Sequence, residues 1–201
     1  MALDTYANFQ TSIASWLARD DLTAFIPDFI TIFEAAACRR LRVRLEETTT
    51  TLTPTSGMAT LPSDYLGHRR VTWLGSPTRE LTYVVPTTFS SDYPTQPGGT
   101  PSEFTIEGSS LKVMPSSDTN IELLYYQKTA AVSSALNWLF TRHPDAYLFG
   151  TLCEANAFNK GQAFEAASIW KTRRDEVFEE IQKVEFNERT GMSMRLVGIT
   201  P

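Results

Sequence analysis

Residues 141–188 read TRHPDAYLFGTLCEANAFNKGQAFEAASIWKTRRDEVFEEIQKVEFNE, and the expected fold is built around this stretch. A helix opens near Pro144, because a proline is tolerated in a first helical turn, where its missing N–H has no helical partner. Thr141 or His143 can cap the free backbone N–H groups there. Leu148 and Leu152 stand four residues apart and therefore lie on the same face of this helix.

A second helix is expected after the stop signal Asn159-Lys160-Gly161, since glycine readily takes the left-handed conformation that ends helices. Its apolar residues recur at alternating spacings of four and three, with Arg174 at the one polar position of the row. The row consists of Ala163, Ala167, Trp170, Val177, Ile181 and Val184. The other face offers the i,i+4 ion pairs Lys171–Asp175 and Glu179–Lys183. The pattern predicts a helical hairpin with one apolar seam.

The composition is that of an ordinary globular protein. The chain has 201 residues, of which 42% are hydrophobic and 20% charged, so it can bury one sizeable core. Its apolar runs are far shorter than the roughly 18 residues that a membrane helix needs, and we expect no membrane partner. Cys38 and Cys153 fall within predicted helices, which favours buried, reduced thiols and a cytoplasmic site of synthesis.

The net charge of −5 is unevenly distributed. Acidic residues outnumber basic ones in residues 145–188, whereas residues 189–201 hold Arg189 and Arg195 and no acid. Affinity for phosphate backbones comes from clustered lysines and arginines, so this balance is poor for a nucleic-acid-binding protein. An acidic body with a basic end suits protein contacts better.

The N-terminal part predicts two helices, one from about Leu3 to Arg19 and one starting near Pro27, with Asp28 in its first turn. The second ends in the cluster Arg39, Arg40, Arg42 and Arg44. Cations complement the dipole at a helix C-terminus, which is the plainer interpretation of this cluster. The functional interpretation is a surface that faces nucleic acid or an acidic partner. Because apolar residues alternate with the arginines, the boundary between helix and strand stays open here.

Residues 47–129 are rich in strand formers and turns, and they predict a domain of antiparallel hairpins inserted between the helices. The prolines and glycines of residues 84–102 indicate a surface loop with one helical turn near Phe89. The expected strands are Thr48–Thr53 with Met58–Leu61 as a first hairpin, Arg69–Leu74, Arg79–Tyr83, Phe104–Glu107 with Leu111–Met114 as a second hairpin, and Asn120–Lys128. The predicted class is α+β. Residues 1–46 and 137–188 are expected to form a helical bundle. This bundle and the inserted β hairpins are expected to make up one domain over residues 1–188.

Catalytic and cofactor-binding patterns are hard to find in this sequence. His68 and His143 are the two histidines, and neither stands at metal-ligand spacing from a cysteine or carboxylate. Gly98-Gly99 lacks the preceding strand and following helix of a phosphate-binding loop. We therefore expect no enzyme, no metal and no cofactor.

The order of these pieces resembles the tailed-bacteriophage head-to-tail adaptor proteins, also called connectors, including the tail accessory factor and tail tubular A-like proteins. Several passages carry the resemblance. They are Ile26-Pro27-Asp28-Phe29-Ile30 before the arginine cluster, Leu61-Pro62-Ser63-Asp64-Tyr65-Leu66, Gly99–Gly108 with Leu111–Pro115, Glu122–Lys128, Asn137-Trp138-Leu139-Phe140, and Pro144–Gly150. Together they cover most of residues 1–188.

This resemblance implies a structural virion protein in the neck between capsid and tail, assembled in the host cytoplasm. It implies a ring, usually of twelve copies, that binds the portal protein on one side and tail, nozzle or stopper proteins on the other. Double-stranded DNA would pass through the channel without specific binding, and Arg39, Arg40, Arg42 and Arg44 would face the channel or a neighbouring subunit. The alternative is a small nucleic-acid-binding module that uses the same arginines.

Residues 189–201 form a tail too short to fold alone, and Met192, Met194 and Leu196 alternate as on one face of a strand. One hypothesis is that the tail is disordered in the free subunit and docks on the portal by adding a strand to a sheet edge. The docking residues would be Met192, Met194, Arg195, Leu196 and Val197. The other hypothesis is a frayed terminus without function.

Overall fold

The structure, a computed structural model, describes residues 3–158 and 164–190. Within them the chain forms six α-helices and eight strands in two sheets, which confirms the mixed α+β class. The chain divides into two compact units. A helical unit contains the described residues up to Leu45 and from Thr129 onward, and a β unit contains Glu46–Lys128.

The helices of the helical unit begin and end at recognisable signals. Thr5 caps the first helix by accepting a 3.2 Å hydrogen bond from the Asn8 amide, and the second carries Pro27 in its first turn. Asp28 lies in that turn as predicted, next to the positive end of the helix dipole. The helices are α1 (Tyr6–Leu17), α2 (Ile26–Arg40), α4 (Trp138–Arg142), α5 (Pro144–Phe158) and α6 (Phe164–Thr190), while α3 (Pro86–Asp92) belongs to the β unit.

Aromatic side chains fill the centre of the helical unit. Phe9 lies edge-on to Phe140 and Tyr147, with ring centroids 5.1 and 5.9 Å apart. Phe33 of α2 contacts Tyr147 of α5 at 5.0 Å and stacks on Phe178 of α6 at 6.2 Å. These rings join five helices in one apolar cluster, and α5 and α6 pack side by side within it.

The packed face of α6 differs from the predicted row. Phe178, absent from that row, is only 1% exposed, whereas Val184 is 59% exposed. Ile181 is buried as predicted, and Trp170 and Val177 are partly buried against the core. Ala163 and the side chain of Ala167 lie outside the described part, as does the predicted stop at residues 159–161. The predicted row stepped three residues from Arg174 to Val177, whereas the fully buried residue is Phe178, four residues after Arg174. The Arg174 side chain is itself only 14% exposed.

One of the two predicted ion pairs on α6 is present. Lys183 Nζ lies 3.6 Å from Glu179 Oε2. Asp175 does not pair with Lys171 within α6. It binds Arg40 of α2 instead, at 2.6 Å, and Arg174 at 3.0 Å. The tertiary contact places the carboxylate beside two planar guanidinium groups, which bind carboxylates better than one flexible ammonium does.

A buried polar cluster fixes the segment that leads into α4 and α5. Asn137 caps α4 by accepting a 2.9 Å hydrogen bond from the Phe140 amide, and its Nδ2 donates to the Ala130 carbonyl and the Tyr147 hydroxyl. The Tyr147 hydroxyl in turn donates to Glu34 Oε1, 3.1 Å away. The short helix α4 and its cap Asn137 were not predicted from the sequence. The capping of the next helix, α5, by Thr141 or His143 stays a prediction.

The two sheets of the β unit share one apolar cluster. The first has the strand order β1-β8-β3-β4 and the second β2-β7-β6-β5. The pairs are antiparallel except β5 with β6, which is parallel. The strands are β1 (Glu47–Leu52), β2 (Met58–Thr60), β3 (Tyr65–Trp73), β4 (Arg79–Glu80), β5 (Thr82–Tyr83), β6 (Glu103–Glu107), β7 (Ser110–Met114) and β8 (Ile121–Gln127).

The second predicted hairpin is confirmed, and the first is wrong. β6 and β7 pair directly across Gly108, whose φ of +58° suits a tight turn. β1 pairs with β8 and β2 with β7, so β1 and β2 belong to different sheets. Their turn does form, but Ser56 N donates to Asp118 Oδ1 at 2.6 Å and Val113 N donates to the Gly57 carbonyl at 2.9 Å. These long-range bonds direct the chain after the turn to β7.

The predicted strand Arg79–Tyr83 is divided between the sheets. Arg79–Glu80 pairs with β3, and Thr82–Tyr83 pairs with β6. Leu81 lies between them, buried, and donates its N–H to the Val71 carbonyl at 2.9 Å. The segment thus joins the two sheets. The predicted helical turn near Phe89 is present as the two-turn helix α3, with Phe89 buried.

Candidate interaction surfaces

The arginine cluster lies where α2 ends. Arg39 and Arg40 occupy the last turn of the helix, and all four arginines are exposed. Leu41 and Val43 between them are buried at 1% and 2% exposure, so the chain beyond α2 alternates buried apolar and exposed basic residues. The position in the last turn matches the helix-dipole interpretation of Arg39 and Arg40.

Arg40 is engaged within the subunit. Its Nη1 lies 2.6 Å from Asp175 Oδ1, and its guanidinium carbon lies 5.0 Å from the centre of the Phe178 ring. The Arg40 carbonyl accepts a 3.1 Å hydrogen bond from Gln182 Nε2. Partial burial by itself raises the pKa of Asp175, but the hydrogen bonds from Arg40 and Arg174 outweigh it and hold that pKa below its usual value. Arg40 therefore links α2 to α6.

One side of α2 has no covering element among the described residues. It is formed by Asp28, Ile32, Ala35 and Arg39, which recur at spacings of four and three and are all exposed. Ile32 is 50% exposed. We call these four residues the outer face of α2. It is apolar in the middle and basic at its C-terminal end.

A groove of about 470 Å³ runs along α6 beside α1 and α5. It is lined by five apolar side chains, three carboxylates and one guanidinium. The apolar residues are Trp16, Phe149, Ile169, Trp170 and Val177, and the charged ones are Asp145, Arg173, Glu176 and Glu180. Trp16 is 50% and Ile169 59% exposed, and Trp16 lies edge-on to Phe149 at 6.1 Å. We call this feature the acidic groove.

A second cleft, of about 440 Å³, lies between the segment after α2 and the C-terminal half of α6. Its apolar lining comes from Leu45, Trp138 and Val184, and Arg44, Arg142 and Glu185 add charge. Of the predicted arginines, Arg44 borders this cleft and Arg40 closes the contact between α2 and α6. The structure thus separates the members of the cluster into different surroundings.

The two histidines lie in aromatic settings. His68 stacks on Tyr83 at 5.0 Å and meets Phe104 edge-on at 5.2 Å, and burial lowers its pKa. His143 follows α4, with its ring 6.3 Å from Trp138. In the described parts of the chain, no group of three or more His, Cys, Asp or Glu side chains could hold a metal ion.

The two cysteines are free, as expected, but they are half-buried and not fully buried. Burial raises the pKa of the Cys153 thiol. Among residues 3–158 and 164–190, no helix combines the length and the apolar character needed to cross a bilayer.

The proposed docking residues of the tail, Met192, Met194, Arg195, Leu196 and Val197, lie outside the described residues. Sequence reasoning missed both candidate surfaces of the helical unit. The outer face of α2 could have been found from Ile32 and Arg39, which stand two turns apart and share a side of the helix next to the one that holds Phe29 and Phe33. The acidic groove could not, because it combines residues of α5 and α6 with Trp16 of α1, which lies far away in the sequence.

Comparison with known proteins agrees with the sequence-based resemblance. A search of curated proteins gave no match. The model of one protein family, described as SU10 adaptor protein, matches residues 4–196, which is nearly the whole chain and includes both units. The chain therefore belongs to the SU10 adaptor protein family, and its resemblance to bacteriophage head-to-tail adaptors is confirmed.

Proposed function

We propose that this chain is a head-to-tail adaptor of the bacteriophage virion. It forms a ring, of twelve copies, beneath the portal protein in the neck, and it extends the channel through which double-stranded DNA passes. The observation that carries the proposal is the family match over residues 4–196. Two further features support it: two compact units with well-packed cores, and exposed apolar surfaces on the helical unit.

The partners proposed for this ring are the portal on one side and tail, nozzle or stopper proteins on the other. Portal attachment is assigned to the C-terminal tail, whose docking residues are Met192, Met194, Arg195, Leu196 and Val197. The family match extends to residue 196 and so includes most of this tail. A short segment with alternating apolar residues is suited to adding a strand to the sheet edge of a partner.

Electron microscopy of the purified chain mixed with portal rings of the same phage tests the proposal. The expected result is a ring of added density on one end of the portal. Deletion of residues 190–201 should abolish attachment, whereas deletion of residues 198–201 alone should leave it intact and serves as the matched control. Portal rings that remain bare with the full chain would contradict the proposal. Unchanged attachment after the longer deletion would remove the tail from it.

The alternative function, a nucleic-acid-binding module at Arg39, Arg40, Arg42 and Arg44, makes a different prediction. It requires DNA retention by the isolated chain that falls steeply with salt, because bound cations are released from the phosphates. The net charge of −5 and the engagement of Arg40 by Asp175 both disfavour it. The adaptor proposal predicts weak retention that is unchanged when Arg39, Arg42 and Arg44 are replaced by glutamine.

A further inference from the structure

We propose that the outer face of α2 in one copy of this chain docks into the acidic groove of the next copy. The proposal deepens the proposed ring, on which it rests, by assigning the two surfaces through which neighbouring subunits meet. The occupant of the groove is therefore a second copy of this chain, which presents Ile32 and Arg39. The two surfaces share no residue, so each subunit can use both at once.

The apolar complementarity comes from side chains that the described part of the subunit leaves uncovered. Ile32 on α2 is 50% exposed, and Trp16 and Ile169 in the groove are 50% and 59% exposed. Exposed apolar patches that are surrounded by polar residues mark sites of protein association. Ile32 next to the small Ala35 gives a narrow ridge on α2, and ridges of one helix pack into the grooves between side chains of others.

The charges are complementary too. The groove carries Asp145, Glu176 and Glu180 against one base, Arg173. The outer face of α2 has its acid, Asp28, in the first turn and its base, Arg39, in the last turn, so the complementarity lies at its C-terminal end. The exposed Arg173–Glu176 pair is long, at 3.8 Å, and leaves the glutamate able to accept a second guanidinium. Opposite charges at the two ends of an interface set its register and reject wrong alignments.

The spacing on the two helices agrees. Ile32 and Arg39 are seven residues apart on α2, and Ile169 and Glu176 are seven residues apart on α6, about 10 Å along each axis. A parallel alignment of α2 from one copy with α6 of the next places Ile32 against Ile169 and Arg39 against Glu176. Because the two surfaces differ, the contact repeats head to tail, which is the arrangement that closes into rings.

The first test uses single aspartate variants of the full chain, with self-association measured by sedimentation velocity. Ile32→Asp and Ile169→Asp should each weaken self-association by about tenfold or more, because each would bury an unpaired carboxylate in the contact. The matched control is Val184→Asp, since Val184 is also on α6 and also 59% exposed but lies outside both surfaces. It should associate like the wild type. Circular dichroism checks that each variant is folded.

The second test mixes the two variants. Ile32→Asp keeps an intact groove, and Ile169→Asp keeps an intact outer face of α2. In an equimolar mixture, the outer face of Ile169→Asp can dock into the groove of Ile32→Asp, and no other unaltered contact can form. We expect a 1:1 heterodimer from the mixture and monomers from each variant alone. A symmetric contact between identical surfaces would predict no rescue on mixing, and that result would overturn the proposal.

The third test exchanges the charges. Arg39→Glu and Glu176→Arg should each weaken self-association, and the chain carrying both should recover most of it, because every contact is complementary again. Lys183→Glu, at an exposed position outside the groove, is the control. Failure of the double variant to exceed either single variant would contradict the pairing of Arg39 with Glu176.

Failure of this proposal can be distinguished from failure of the adaptor role. A wild-type chain that stays monomeric at the highest attainable concentration, or aspartate variants that associate normally, would overturn the docking of α2 in the groove. The same variants mixed with portal rings report on the adaptor role separately. A chain that binds portal but self-associates through other residues keeps the adaptor role and loses this interface.

Discussion

Asp175 shows how much of the helical unit depends on one carboxylate. It accepts hydrogen bonds from Arg40 at 2.6 Å and Arg174 at 3.0 Å, and so connects α2 with α6 across 135 positions of sequence. Its side chain is 30% exposed, so water screens the pair only in part. The charge of Asp175 therefore stabilises the packing of α2 on α6 more than it stabilises α6 alone.

Asp175→Asn should lower the free energy of unfolding by about 1 kcal/mol at neutral pH, because it leaves two guanidinium groups without their carboxylate. The pKa of Asp175 is held below 3.8 in the folded chain, so its contribution is present above that value and is lost as the pH falls through the folded pKa. Urea denaturation over a pH series measures both effects. Glu179→Gln, which removes an exposed pair, is the control and should change little.

His68 predicts a second pH dependence, in the β unit. Burial lowers its pKa below 6.5, so the folded state favours the neutral ring. The stabilisation is therefore fully present above pH 6.5 and is lost as the pH falls through the folded pKa. His68→Phe keeps an aromatic ring against Tyr83 and should flatten this part of the pH profile. A profile unchanged in His68→Phe would show that the titration of His68 is not coupled to folding.

At the scale of elements, Gly150 permits the close approach of α2 and α5. A Cβ at this position would lie 2.1 Å from Cδ2 of the Phe33 ring. Gly150→Ala should therefore destabilise the chain by about 1–3 kcal/mol, although alanine normally favours a helix interior. Thermal or urea unfolding measures the change. Adding Phe33→Leu should make the Gly150→Ala substitution less costly, and full additivity of the two changes would refute the clash.

Phe178 tests which face of α6 is packed. Phe178→Ala should cost about 3–5 kcal/mol, because it removes a buried ring that contacts Phe33 and lies under Arg40. Val184→Ala, at an exposed position of the predicted row, should stay within about 0.5 kcal/mol of the wild type. Equal effects at the two positions would mean that the face of α6 is assigned wrongly. Denaturant titrations of both variants give the comparison.

The helices and strands that could be predicted from the sequence are those whose ends are determined by residues close to them in the chain. The pairing of β6 with β7 and the start of α2 at Pro27 follow from local turn and cap chemistry. The partner of β1 could not be predicted, since β1 and β8 lie far apart in the sequence and their pairing accompanies an apolar cluster to which strands of both sheets contribute. The same limit hid the acidic groove, whereas the arginine cluster was visible because its four residues lie within six positions of the sequence.

At the scale of the whole molecule, the β unit is one continuous segment with its own core, and its ends lie together. Glu47 and Tyr126 are direct partners in the β1–β8 ladder. Residues 46–128 expressed alone should therefore fold and unfold cooperatively, as measured by thermal melting and amide-shift dispersion in NMR spectra. Val71→Asp, which places a charge in the buried cluster, is the control that should abolish the transition. A fragment without a transition would contradict the independence of this unit.

The polar cluster around Asn137 has a consequence for how one arrangement of the helical unit is selected. Apolar side chains tolerate many alternative packings, but Asn137, Tyr147 and Glu34 each need the others at hydrogen-bonding distance. A helix shifted by one turn would strand these groups in an apolar interior at a cost of about 1–3 kcal/mol each. The cluster thus destabilises packings in which one helix is shifted by a turn, and it selects a single register of the helices in this unit.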